Sequence, residues 1–224
     1  MSQTSSSERL AWLAGLPIAA TAGFYILPSD LQQHPAIQFL PQALAYAALA
    51  LWALQNFNSA ARLGLQPSLL QQGLRWGTAT GLALGLLNTA VILYLTPWLG
   101  FAIGFLRDTP HAKIPVLVML PWFIMFIALF VEINFRGFLL GRLLALLSGL
   151  PAPIAIGTAL AVSAIIFSFD PFMVVTFRHL HWIAVWDGLV WGLLWVRLRN
   201  LYVPIVAHAV EVMVMYSIVR TVLG

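Results

Sequence analysis

Glu132 and Arg136 lie four residues apart in Val131-Glu132-Ile133-Asn134-Phe135-Arg136-Gly137, inside an apolar run from Ile114 to Leu147. On a helix that spacing puts a carboxylate and a guanidinium on one face, where they pair. Hydrocarbon solvates ions badly, so charges at membrane depth face a protein interior or a wet cavity. A second set follows downstream. His208 and Glu211 stand one turn apart, Asp187 precedes them, and Asp170, His179 and His181 come earlier still. A carboxylate with imidazoles in a confined wet cavity can take a proton from water and stabilise an oxyanion. The same residue types can instead hold a divalent metal that acidifies a bound water. No ligand pair here has diagnostic zinc spacing, so the choice between no cofactor and a divalent metal stays open.

These residues need a membrane bundle to position them. The chain has 224 residues, of which 61% are hydrophobic and 8% charged, with no cysteine. Its mean hydropathy is +0.92. Soluble domains carry roughly 25% charged residues, so this composition reads as a single integral membrane domain over residues 1–224. The absence of cysteine excludes disulfides and thiolate chemistry and leaves the redox compartment open. A net charge of +4 in so apolar a chain reads as loop arginine and lysine setting topology, with membrane lipid as a partner and no nucleic acid.

Apolar runs bounded by polar or proline-containing stretches predict an all-α, polytopic bundle of about seven transmembrane helices plus an interfacial helix. The spans run from Leu10 to Leu27, Ala36 to Gln55, Leu74 to Leu95, Ile114 to Leu147, Pro151 to Phe169, Trp182 to Leu198 and Leu201 to Leu223. Leucines alternating with Gln, Ser and Arg between Ala60 and Gly73 suit a helix lying at the interface. The short polar start, Met1 to Arg9, and the long apolar run after it read as a retained first helix. With the N-terminus inside, inner loops hold Arg9, Arg62, Arg75, Arg142, Arg197 and Arg199, against Arg107, Lys113, Arg178 and Arg220 outside, which favours N-inside. Through the third span no ionisable residue lies deep in a helix, so residues 114–224 should build the site.

The segment Val131 to Leu139 resembles the first motif of the CPBP family of intramembrane proteases, which includes type II CAAX prenyl proteases and bacteriocin-processing proteins. That motif is Glu-Glu-x-x-x-Arg; Glu132 and Arg136 match its second Glu and its Arg. Gly188 to Gly192 and Leu201 to His208 are similar to the family's last two helices, and His208 matches the histidine of its third motif, His-x-x-x-Asn. Three positions depart. Val131 replaces the first Glu, the one thought to activate water, and Val212 replaces the Asn. In the second motif, Phe-x-x-x-His, Phe167 leads to Pro171 with Asp170 beside it, whereas Phe177 with His181 fits literally.

The resemblance implies an intramembrane endopeptidase in a bacterial inner membrane that cleaves a membrane-tethered peptide or prepeptide. Glu132 would be base or water ligand, Arg136 its orienting partner, and His208 with His181 or Asp170 the rest of the site. With Val131 in place, Glu211 or Asp170 is the alternative for the lost group. Two other readings stay open: a non-catalytic relative that binds a membrane partner, and a small proton-coupled carrier using Glu132, His208 and Glu211. No inverted repeat with paired broken helices supports the carrier. Structural roles compete at each position: an ion pair for Glu132 and Arg136, a turn for Asp170, and close helix packing for Gly188 and Gly192 beside Asp187.

Overall fold

The computed structural model describes residues 8–223, and all regular structure among them is helical. Residues 1–7 of the polar start lie outside the described residues. Eight helices matter for the site: α1 (Ala11–Phe24), α2 (Leu40–Gln55), α3 (Leu70–Ala90), α4 (Val116–Leu146), α5 (Ala152–Ser168), α6 (Pro171–Phe177), α7 (Ile183–Leu198) and α8 (Tyr202–Leu223). Three helical stretches among the described residues are long and apolar enough to cross a membrane: Ser59–Trp98, Val116–Leu146 and Tyr202–Leu223. Ala152–Ser168 with Pro171–Leu180, bent by 53°, makes a fourth. The chain is an integral membrane protein.

Prolines set most of the boundaries. α1 stops at Phe24, before Pro28. α2 opens at Leu40 with Pro41 in its first turn, after a separate turn at Pro35–Gln38; proline tolerates a first turn because its missing N–H would be unpaired there anyway. The expected interfacial helix is shorter than residues 60–73. It covers Ser59–Leu63 and ends at Gly64, whose φ is +89°. A side chain at Gly64 would sit 2.8 Å from the Arg199 carbonyl oxygen, and the Leu201 N–H donates to the Gly64 carbonyl at 3.0 Å. A turn at Pro67–Leu69 then starts α3 at Leu70, four residues before the expected Leu74.

Two π-helical turns stand at prolines. Val91–Leu95, which extends α3, precedes Pro97, and Met119–Phe123 in α4 contains Pro121. A proline inside a helix removes a donor and crowds the preceding turn, and the wider turn relieves both. A third π segment, Ile133–Leu140, begins directly after Glu132 and holds Arg136.

α3 packs along α8, α5 along α7, α4 against α8, and α1 against α2. Gly188 and Gly192 admit α5 to α7: a methyl group at Gly188 would lie 3.0 Å from Ala164, and one at Gly192 2.7 Å from Leu160. The expected close packing at this glycine pair is what the helices adopt. Trp52, Phe138, Leu140, Trp195 and Leu201 form one core cluster. Phe135, Leu139, Phe167, Trp191 and Ala207 form another around the site.

Candidate active site

α4 presents Glu132 and Arg136, and α8 presents His208 and Glu211. Arg136 Nη1 donates to Glu132 Oε1 at 3.0 Å. His208 Nδ1 lies 2.8 Å from that same oxygen. Glu132 is 0% exposed and Arg136 1%. The guanidinium carbon stands 4.3 Å from the Phe167 ring centroid and 5.0 Å from that of Trp191, so its face is covered by aromatic rings. The His208 ring stacks on Trp191 at 4.6 Å.

A carboxylate oxygen only accepts, so the contact with Glu132 requires His208 to carry its proton on Nδ1. Nε2 is then the basic ring nitrogen. His208 lines a cavity of about 1100 Å³ together with Val131, Phe167, Asp187, Trp191, Glu211 and Val212. Glu132 itself does not line this cavity. Carboxylate and imidazole meet by direct contact, with no room for a water between them. Glu132 stands behind His208, as an orienting carboxylate does in a catalytic triad.

The structure does not gather all the candidates of the sequence. Asp170 is buried and lines the cavity, but its carboxylate caps α6, accepting from the Phe172 N–H at 3.1 Å and from Gln42 Nε2 at 2.9 Å. Asp170→Ala should cost about 0.5–2 kcal/mol, the usual value of a helix cap. Thermal melting in detergent reads this directly, and an unchanged midpoint would show that the cap holds nothing. His181 stays outside the cavity, its Nδ1 at 2.5 Å from the Arg178 carbonyl and its ring edge-on to Phe169. The literal second-motif match therefore does not bring an imidazole to the site. His179 packs on Phe101 and Phe105.

His111 lines the cavity near the far end of α8, stacked on Phe177. It belongs to the turn Pro110–Lys113 outside the spans, and burial lowers its pKa below the ordinary 6.5. Arg220 ties that turn to α8 by donating to the Ala112 carbonyl at 3.1 Å.

Sequence reasoning missed Asn88, on α3. This residue is 0% exposed, and its Nδ2 donates to Glu211 Oε1 at 2.7 Å and to Asp187 Oδ1 at 3.0 Å. A neutral amide in a span carries no charge signal, and only its polarity inside an apolar run marked it. Asp187, a candidate beside the packed Gly188, lines the cavity. Among the described residues no three His, Cys, Asp or Glu side chains gather closely enough to hold a metal ion.

No curated protein and no solved structure matches the chain. One family model does, that described as type II CAAX prenyl endopeptidase Rce1-like, over residues 113–214. That segment, just under half of the chain, holds Glu132, Arg136, Asp187, His208 and Glu211, and over it the chain is similar to the Rce1-like proteins.

Proposed function

We propose that the protein is a membrane-embedded endopeptidase in which His208 activates water. The observation that carries this reading is the 2.8 Å contact between His208 Nδ1 and Glu132 Oε1. It holds the imidazole with Nε2 as base, and Arg136 balances the charge of Glu132 behind it. A water at Nε2 gives up a proton as its oxygen adds to a peptide carbonyl carbon; the C–N bond then breaks and the leaving nitrogen takes a proton. The cavity walls are mainly aromatic and aliphatic, so the substrate is an apolar peptide or prepeptide tethered in the membrane. In this reading α1, α2, α3, α4, α5, α7 and α8 are seven crossings of a bacterial inner membrane, with the N-terminus inside.

Cleavage of a fluorogenic library of apolar peptides, presented to the protein in lipid vesicles, tests the proposal. His208→Ala should lower kcat at least about 10²-fold, the usual scale for a lost general base. Glu132→Gln should do so too, because the imidazole loses its negative partner. Unchanged cleavage by His208→Ala would place the base elsewhere.

A second reading, a binding protein without hydrolysis, is favoured by Val131 and Val212. Both stand where the motifs of the family carry polar groups, and both line the cavity with hydrocarbon. Photo-crosslinked capture of the same peptides without any cleavage would select it.

A further inference from the structure

Asn88 lies outside the segment that matches the family, yet it is the hub of a buried polar cluster. Its Oδ1 accepts from Trp186 Nε1 at 2.9 Å, which fixes the amide orientation. Its Nδ2 then faces two carboxyl groups at once: Glu211 Oε1 at 2.7 Å, and Asp187 Oδ1 and Oδ2 at 3.0 and 3.2 Å. Asp187 is 4% exposed and Glu211 1%. Arg136 makes its ion pair with Glu132 and acts on Asp187 and Glu211 only through space, so one cation faces three carboxyl groups. Two carboxylates converging on one neutral donor in an apolar wall repel each other, and sharing a proton removes the repulsion.

The pair also points to a ligand. Asp187 and Glu211 line the cavity that His208 lines, and Glu211 follows His208 by one turn of α8. Beside them Trp191, 2% exposed, lines the same cavity, and Glu211 Oε2 is buried there without a hydrogen-bond partner, an acceptor that a proton or a ligand donor would satisfy.

The geometry points to Asp187 and Glu211, positioned by Asn88, as the acid half of the site: together they hold one proton and deliver it to the leaving nitrogen of the substrate. Delivery rests on the endopeptidase reading; the shared proton does not. In the full step, a water proton passes to His208 Nε2 while the water oxygen bonds the carbonyl carbon. The electrons of the broken C–N bond go to nitrogen, which takes the proton of the pair. The pair is left doubly ionised, and the proton on His208 returns to it through water. One water is consumed, and one carboxylic acid and one amine leave.

Infrared spectra of the full chain in lipid vesicles, recorded in H₂O and D₂O, test the shared proton without any substrate. Wild type should show the carbonyl stretch of a neutral carboxylic acid. Asp187→Asn or Glu211→Gln should remove it, and Asn88→Leu should shift it, which a purely structural role for Asn88 would not do. Retained helicity and a single elution peak show that each variant folds. Absence of the band in wild type overturns the proposal. In peptide cleavage, Glu211→Gln should lower kcat about 10²-fold with KM within about twofold. If the band is present but Glu211→Gln cleaves like wild type while His208→Ala does not, delivery is overturned and the endopeptidase reading survives. If the band is present and wild type cleaves nothing, the endopeptidase reading fails and delivery with it, while the proton-holding pair stands.

Discussion

Arg136→Met should lower stability by about 3–5 kcal/mol, the scale expected when one partner of a buried ion pair is removed. Glu132 is wholly buried, and its charge would keep only the His208 N–H. Met fills much of the space under Phe167 and Trp191, where the guanidinium now lies, so the loss is one of charge more than of packing. The double variant Glu132→Gln with Arg136→Met should recover most of the stability, because neither charge is then stranded and the Gln oxygen still accepts from His208. For a chain of this size about 2–4 °C of melting temperature corresponds to each kcal/mol. The single variant should therefore melt roughly 10 °C lower in detergent, with the double variant between it and wild type. Should Arg136→Met melt with wild type, the carboxylate has found another counter-charge, and the chain of Arg136, Glu132 and His208 does not hold the site together.

The helices were legible because hydrocarbon dictates their composition. The expected apolar runs are helical, three or four of them among the described residues long and apolar enough to cross a membrane, and the shifts trace to single residues: Pro28 ends α1 early, and Pro67 starts α3 early. Glu132, Arg136 and His208 were legible for the same reason, since each is expensive in an apolar span without a partner. What the sequence could not give is which partner. Glu132 and His208 are 76 residues apart and meet only because α4 packs on α8. His181 satisfied a motif by spacing, but the short helical turn at Arg178–Leu180 gives its ring a backbone carbonyl to bond, away from the cavity. Asn88 is uncharged, so only its polarity inside an apolar run marked it, and the π segment at Ile133–Leu140 contains no proline that spacing could reveal.

The glycines of α3 give the last test. Gly73, Gly77, Gly81 and Gly85 recur every four residues and form one stripe against α8. A methyl group at Gly81 would lie 2.5 Å from the Ala207 carbonyl oxygen and 2.8 Å from Val210 Cβ, and one at Gly77 2.6 Å from Val206 Cβ. Small residues at such contacts let two helix backbones approach, and in lipid this packing replaces the hydrophobic drive that water would supply. The obstruction at Gly81 is backbone, so it cannot turn aside. Gly81→Val must push α8 outward, and the cost should be at the upper end of overpacking, about 3 kcal/mol or more. Ala207 precedes His208, and Asn88 lies two turns beyond Gly81, so the same displacement should break the Asn88 bond to Glu211. Gly157 on α5 is the control: nothing lies within 4 Å of its added methyl, and Gly157→Ala should stabilise by about 0.5–1 kcal/mol through the lower backbone freedom of alanine. Melting in detergent, with disulfide trapping between cysteines introduced on α3 and α8, separates the two. A Gly81→Val protein that melts with wild type and still cross-links would mean that the α3–α8 contact yields at Gly81 without cost, and that the glycine stripe does not fix the reach of Asn88 to Glu211.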